Sequence, residues 1–578
     1  MSRAAASTVL TNSSLFRHIM RFIDGVPGRI LSCVTSFQAA HCSDPWSVAG
    51  ALPKDAIQRG DLDTLRHLWR LSRSKSFLAG AELSFRDTIL YAIQNGRLAI
   101  VQYLASIKLL PFKFSLMRSE EDTLMGWAIR YSDVPTLQDP VEIITWVAAQ
   151  YPNSKFYGID ADDLSRAGLS VLQYLDERKM APKAFQDSQL VDYVAKMGRL
   201  EIMKFLLQRQ GEEHQRCTSN AMDGAASNGF IRTVQYLHDQ RSEGCTVAAM
   251  DRAAANGYIE VVHFLHTQRR EGCTIAALDR AAINGHLDLV QFLHTHRQEG
   301  CSTDAMDGAA AGGFIEIVRF LHTYRNEGCT TRAMDRAARS GHIDTVMFLH
   351  QHRREGCTTE AMDGAALAGH LSIVKFLQEH RREGGTSRAV DGAAWRGHLD
   401  VVKYLLKHRK EGCTSEAMDV ACQNGNLNMV RALHEQGQAL CTTDAMNNAA
   451  SRGHLDIVRY LQEHRVEGCT KDAMTNAAIN GHTEIVLFLG EHRHEGPHDY
   501  ALERAAARGN LECVEALIRC SILGCLIEAR NAAHKAGYIR VVSLLTDWIN
   551  PDVQSCSLSQ FHKRPGPRWC QRQPEFET

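Results

Sequence analysis

The residues of this chain best able to do chemistry recur on a fixed spacing. Ten of its 17 cysteines stand at 217, 245, 273, 301, 329, 357, 413, 441, 469 and 525, always a multiple of 28 apart. Thiols in such a series could hold zinc or close disulfides. Histidines recur too (His286, His342, His370, His398, His454 and His482, with a second set before each turn), and so do aspartates (Asp223, Asp251, Asp279, Asp307, Asp335, Asp363, Asp391 and Asp419). Residues 494–498 spell HEGPH, the letters of the H-E-x-x-H zinc-protease pattern. Whether any of this is reactive depends on the elements that carry it.

An unbroken frame links these residues. From Cys217 to Gly524 the sequence runs through 308 residues, eleven periods of 28, with no insertion or deletion. A strict period of that length marks a solenoid, in which each unit lends its neighbour the apolar surface that neighbour lacks. With Cys as position 1, residues 357–384 are a representative copy. Thr358 at position 2 predicts an N-cap, its hydroxyl accepting from an otherwise unpaired backbone N–H. Glu360 suits the positive end of the helix that follows. Helix A then runs to about Ala368, with Ala361, Met362, Ala365 and Ala366 (positions 5, 6, 9 and 10) as a narrow buried face and positions 4, 7, 8 and 11 outward. Gly369 ends it in a left-handed conformation. Leu371, Ile373, Val374, Phe376 and Leu377 give helix B a wide apolar stripe. Arg381 and Arg382 are expected in its last turn, against the negative end of the dipole, with Gly384 as its stop. The predicted fold class is all-α, a stack of helix pairs.

On such a scaffold the ladders lose their reactivity. Equivalent atoms of stacked helices lie roughly 8–10 Å apart. A disulfide needs Cα atoms within about 7 Å, and two thiolates on one zinc must approach to roughly 4 Å. Gly385 and Pro497 also fill the Cys slot in two copies, which fits a small residue packed in the turn. Position 14 carries Phe230, Tyr258, Phe314 or Asn426 in place of His, exchanges that a metal ligand would not survive, so His there packs or hydrogen-bonds. Gly496 and Pro497 set HEGPH across a turn, where no helix aligns its two histidines. The Asp row reads as hydrogen bonds and ion pairs that fix the register between copies, because Arg252, Arg280 and Arg336 beside it partly cancel an acidic stripe. No G-x-x-x-x-G-K-[ST], G-x-G-x-x-G or G-x-S-x-G occurs. No catalytic residue, metal or cofactor is expected, and the chain reads as a non-enzyme.

The A-A-x-x-G-H-x-x-I-V-x-x-L core, as in AALAGHLSIVKFL (365–377) and AAWRGHLDVVKYL (393–405), resembles the ankyrin repeat. The usual ankyrin period is about 33 residues. The residues missing here fall between helix B and the next helix A, where that family places its β-hairpin finger, and EAMD (360–363) replaces the T-P-L-H opening. In these respects the chain resembles the short, 28-residue ankyrin-like repeats of protist and oomycete families. The resemblance implies an ankyrin-like helical solenoid with hairpin fingers shortened or missing. It also implies a protein-interaction scaffold or adaptor whose partner lies on the helix A side, the inner curve of such a stack. AIQRGDLDTLRHL (56–68), AIQNGRLAIVQYL (92–104) and VAKMGRLEIMKFL (194–206) are degenerate copies, and 123–152 reads as another worn helix pair. The expected organisation is a capping segment or tail at 1–49, degenerate repeats at 50–216, regular repeats at 217–550, and a disordered tail at 551–578, where Pro551, Pro565, Pro567 and Pro574 stand among few aliphatics.

With 65 basic and 66 acidic residues the net charge is −1, so no overall field attracts nucleic acid or an anionic membrane. No apolar run reaches the roughly 18 residues that span a bilayer. The N-terminus lacks a secretory apolar core, although residues 1–23, with Arg3, Arg17 and Arg21 and no acid before Asp24, have the makeup of a transit peptide. The expectation is a cytoplasmic monomer with a protein partner, no nucleic acid and no membrane. The alternatives are a nucleic-acid-binding solenoid, which requires a continuous basic face, and a metal-dependent enzyme, which requires converging ligands. Binding should sit where copies differ on an exposed face. Position 11 carries Arg339, Leu367 and Trp395 in three successive copies, and Gly364 and Gly392 at position 8 predict a trough with little side-chain cover. Each mid-helix Gly costs about 0.5–1 kcal/mol relative to Ala, and Arg and Trp often dominate binding energies. Arg336, Arg339, Leu367, Trp395 and Arg396 are therefore the expected partner-binding residues.

Overall fold

A computed structural model describes residues 53–73, 88–107, 120–132, 140–152, 155–208, 217–435, 441–520 and 525–549. The expected N-terminal cap and transit-type segment, and the C-terminal tail, lie outside them. Among the described residues every regular element is an α-helix and there is no strand, so no β-hairpin finger joins one copy to the next. The chain forms two compact units, Met1–Ala277 and Leu278–Thr578.

The copy at 357–384 shows how local chemistry sets the helix ends. Thr358, in extended backbone, accepts from Glu360 N–H at 3.2 Å, and helix A covers Thr359–Ala368. Gly369 closes it at φ +83°, where any Cβ would be strained, and His370 N–H reaches back to Ala365 O at 2.9 Å. Helix B covers Leu371–His380. Ala361, Met362, Ala365 and Ala366 of helix A and Ile373, Val374 and Leu377 of helix B are buried. The alanines let successive helices A (Thr331–Ser340, Thr359–Ala368, Ser387–Arg396) pack side by side at close range. At roughly 25 cal/mol per Å² of apolar area, this repeated interface is the main favourable term, and each copy needs its neighbours to complete it.

The end of helix B departs from expectation. Arg381 is not in the last turn but is the C-cap, extended at φ −124° and ψ 150°, with its N–H on Leu377 O at 2.9 Å; Arg382 lies beyond it. Extended backbone turns residues i and i+2 to the same side, so Arg381 pairs with Glu383 rather than with helix carbonyls. Gly384, at φ +71°, turns the connection and does not stop the helix.

Before Cys217 the unit Met1–Ala277 uses the same parts in worn form. Its helix pairs include Thr88–Gln94 with Leu98–Ser106, Glu120–Arg130 with Pro140–Gln150, and Gln189–Lys196 with Leu200–Gln208. Gly60, Gly96 and Gly198 keep the left-handed turn.

Candidate partner-binding surface

The ladders of reactive residue types are structural. Position 7 is turned toward the next copy, buried at Asp363 and half-buried at Asp391: Asp363 accepts from the next copy's Thr386 through the backbone N–H (2.7 Å) and the hydroxyl (2.7 Å). Asp307 holds Thr330 in the same way at 2.7 and 2.5 Å, and Asp223 holds Thr246 at 2.8 and 2.6 Å. The Thr that caps helix A is thus itself clamped by the preceding helix A. Asp192 does this across 26 residues for Thr218, where the worn copies meet the regular ones. Asn447 replaces the carboxylate in one copy, accepting from Thr470 N–H at 2.9 Å and donating Nδ2–H to its hydroxyl at 3.1 Å, and Thr475 in the next, its hydroxyl accepting from His498 N–H at 2.8 Å.

Among the described residues no cysteine forms a disulfide, and no three metal-type side chains converge. Burial, and then the Glu383 carboxylate, push the Cys357 thiol up to about 11. Burial and Glu271 push Cys245 up to about 12. Such thiols carry almost no thiolate at neutral pH, so they are poor nucleophiles.

Position 14 lays a flat group over the glycine of the preceding copy. A methyl added at Gly341 would meet the His370 ring at 2.6 Å, and one at Gly285 would meet the Phe314 ring at 2.6 Å, which explains why His, Phe and Tyr interchange there. His454 and His482 also place Nε2 3.2 Å from Gln423 O and Ser451 O. In the worn copies Arg199 does the same, donating to Ser165 O at 2.6 Å. The second histidine set forms a ring ladder on helix B: His350 meets Phe376 edge-on at 5.4 Å and His380 at 5.6 Å. HEGPH lies between helices Thr483–His492 and Ala501–Ala507, with Glu495 paired to Arg493 and His498 Nε2 3.1 Å from Asp472.

The expected partner surface has a defined geometry. A trough of about 330 Å³ crosses the helices A of consecutive copies. Arg339, Leu367 and Trp395 line it at position 11, Glu360, Arg388 and Glu416 at position 4, with Asp363, Gly364, Asp391 and Gly392 between. Positions 4 and 11 lie on one helix face two turns apart, about 10 Å. Trp395 is 51% exposed, and Arg396 lays its guanidinium 4.4 Å from the ring centroid. Arg336 is exposed, yet neither it nor Arg396 lines the trough.

The glycines at position 8 have a different cause from the one expected. They are not a bare floor: a Cβ at Gly364 would lie 3.0 Å from Arg339 Cβ, and one at Gly392 3.1 Å from Leu367 Cδ1. Each glycine makes room for the position 11 side chain of the copy before. Gly308 under Ile283 and Gly224 under Lys196 repeat the arrangement, with clearances of 2.2 and 3.0 Å. Ser227, Ala255 and Ala311, small at position 11, precede Arg252, Arg280 and Arg336 at position 8. The same offset sets Trp395 against Val420 rather than a glycine, consistent with its standing out into solvent. Sequence reasoning missed the position 4 residues; their alternation Glu360, Arg388, Glu416 was the available signal.

With this geometry in place, three comparisons bear on kinship. The family model for ankyrin repeats, in three copies, matches residues 364–444 and 418–499, inside the regular block and over the part of the trough from Gly364 to Glu416. No curated protein matches the chain. The crystal structure of the pentatricopeptide repeat protein PPR10 from maize aligns over 95% of this chain and 96% of its own at 10% identity, with a TM-score of 0.26, too low to support any inference. Among the described residues no helix is long and apolar enough to cross a membrane.

Proposed function

We propose that this chain is a non-enzymatic protein-interaction scaffold or adaptor built from the short, 28-residue variety of ankyrin-like repeat. In this reading it is cytoplasmic and monomeric, and it binds a protein partner on the helix A face through Arg336, Arg339, Leu367, Trp395 and Arg396. The observation that carries the reading is Trp395, a half-exposed indole on the rim of a trough assembled from successive copies. A large apolar side chain held out by a rigid scaffold is what a partner can bury at little entropic cost. The ankyrin-repeat match, which includes Leu367, Trp395 and Arg396, supports a binding role.

The test compares the full chain with Trp395→Ala by affinity capture and quantitative mass spectrometry, alongside thermal melting. The expected result is a partner recovered with the wild type and lost from the variant, with a melting shift of no more than about 4 °C. Equal recovery by both proteins would remove the helix A face as the binding surface.

A further inference from the structure

We infer that the trough takes a basic, apolar segment of a protein partner, with an apolar side chain against Leu367 and Trp395 and a lysine or arginine held by Glu416 and Asp391. This rests on the helix A face being the binding surface.

The charge balance of the lining carries the inference. Four carboxylates face two guanidiniums there. Arg388 is committed to Glu360, Nη1 to Oε1 at 3.4 Å. Asp363 and Asp391 are held by neutral donors, the Thr386 N–H and hydroxyl and the Thr414 N–H, so those bonds leave their charges uncancelled. Among the described residues neither Glu416 nor Arg339 has an ion-pair partner, and the two stand at opposite ends of the trough, in copies 329–356 and 413–440. The Glu416 end is therefore acidic without compensation, and it lies beside Trp395. One face of that indole already accepts a cation, Arg396, from outside the trough. The ring can offer the same electrostatics to a second cation inside, where carboxylates reinforce it. An acidic segment would meet three uncompensated carboxylates with only Arg339 to answer them. A volume of about 330 Å³, at the small end of the roughly 300–1,000 Å³ typical of binding pockets, admits a few side chains of a segment rather than a folded domain.

A phage-displayed random-peptide library selected on the immobilised full chain tests this. The enriched sequences should carry Lys or Arg beside a Leu, Ile or aromatic residue. The best of them, synthesised, should bind about tenfold more weakly to Trp395→Ala and to Glu416→Lys, tenfold being about 1.4 kcal/mol. Changing the peptide's basic residue to Glu should restore binding to Glu416→Lys. Circular dichroism of each variant establishes that it folds, which the exposure of both side chains favours. Acidic enriched peptides, or peptides lost in Trp395→Ala yet indifferent to Glu416→Lys, would keep the binding surface and overturn the basic partner. Peptides indifferent to both changes, or no enrichment at all, would overturn the surface along with it.

Discussion

A buried carboxylate at position 7 joins one copy to the next. Asp307 is 1% exposed, and its two bonds to Thr330 order the cap of the next helix A. Removing it takes the acceptor from a half-buried N–H and a hydroxyl together, and hydrogen bonds to charged groups contribute about 1.5–3 kcal/mol each. Asp307→Ala should therefore lower the stability of its unit by about 1.5–3 kcal/mol or more in urea unfolding, and Asp307→Asn by distinctly less, because Asn447 satisfies Thr470 in the native chain. Equal losses for the two variants would show that the volume at position 7 matters and its bonding does not. The thiols behave oppositely. Cys357, held up at about 11, should react with a disulfide reagent such as DTNB only as fast as its turn opens; fast labelling of the folded chain would contradict its placement.

Between helices, packing is a matter of paired volumes. Gly308→Ala brings a Cβ to 2.2 Å from Ile283 Cγ1, and overpacking costs about 1–3 kcal/mol, more than the roughly 1 kcal/mol that Ala gains over Gly in a helix. The single variant should be destabilised, and Ile283→Ala with Gly308→Ala should recover more than the sum of the singles, a coupling that a double-mutant cycle reads directly. The helix B ring row predicts a pH response. Burial lowers His322 and His350, and the neighbouring Arg353 and Arg381 add to it. Protons then bind the unfolded chain first, so the row's contribution is complete above the ordinary value of 6.5 and is lost as pH falls through it towards the lowered values. The urea midpoint should fall between about pH 7.5 and about pH 5.5. Replacing both histidines with Gln, which Gln378 shows is accepted as a partner for Arg409 at 3.0 Å, should flatten that fall. Burial opposes ionisation of Glu327, yet its bond to Arg325 brings it down to about 2, so its stabilisation is lost only in stronger acid, below about pH 4.5. These elements differ in how far the sequence revealed them. Thr358 and Gly369 were legible because a cap is settled within a few residues of itself. Gly364 was misread because its cause is Arg339, 25 residues earlier and on another helix, visible only as an exchange of volume between positions 11 and 8. Glu360 was read only as a partner of the helix dipole, and Arg388 and Glu416 were not singled out, because charged residues in a first helical turn look ordinary until a fold sets them in one trough with Trp395.

At the scale of the whole unit Leu278–Thr578, stability is a sum over neighbours. From Thr331–Ser340 to Ala501–Ala507 each helix A packs on the helices A before and after it, and among the described residues no layer gathers the copies into one core. In the last described copy Arg530 and His534 stand where most other copies carry Met and Ala, and among the described residues nothing covers Gly537, while its counterparts Gly341 and Gly369 lie under the next copy's ring. The same nearest-neighbour logic predicts how damage spreads. Asp363→Ala breaks the clamp on Thr386, so hydrogen exchange should accelerate in Thr359–Ala368 and Ser387–Arg396, the two helices that share that interface. It should remain unchanged in Lys471–Asn480, which belongs to the same unit but touches neither. A single hydrophobic core would respond differently, since global opening raises exchange everywhere by one factor. Mass-resolved exchange on the full chain separates the two outcomes. A uniform rise across 278–549 would mean that the copies fold as one body, and the trough would then owe its shape to the unit rather than to the few copies that line it.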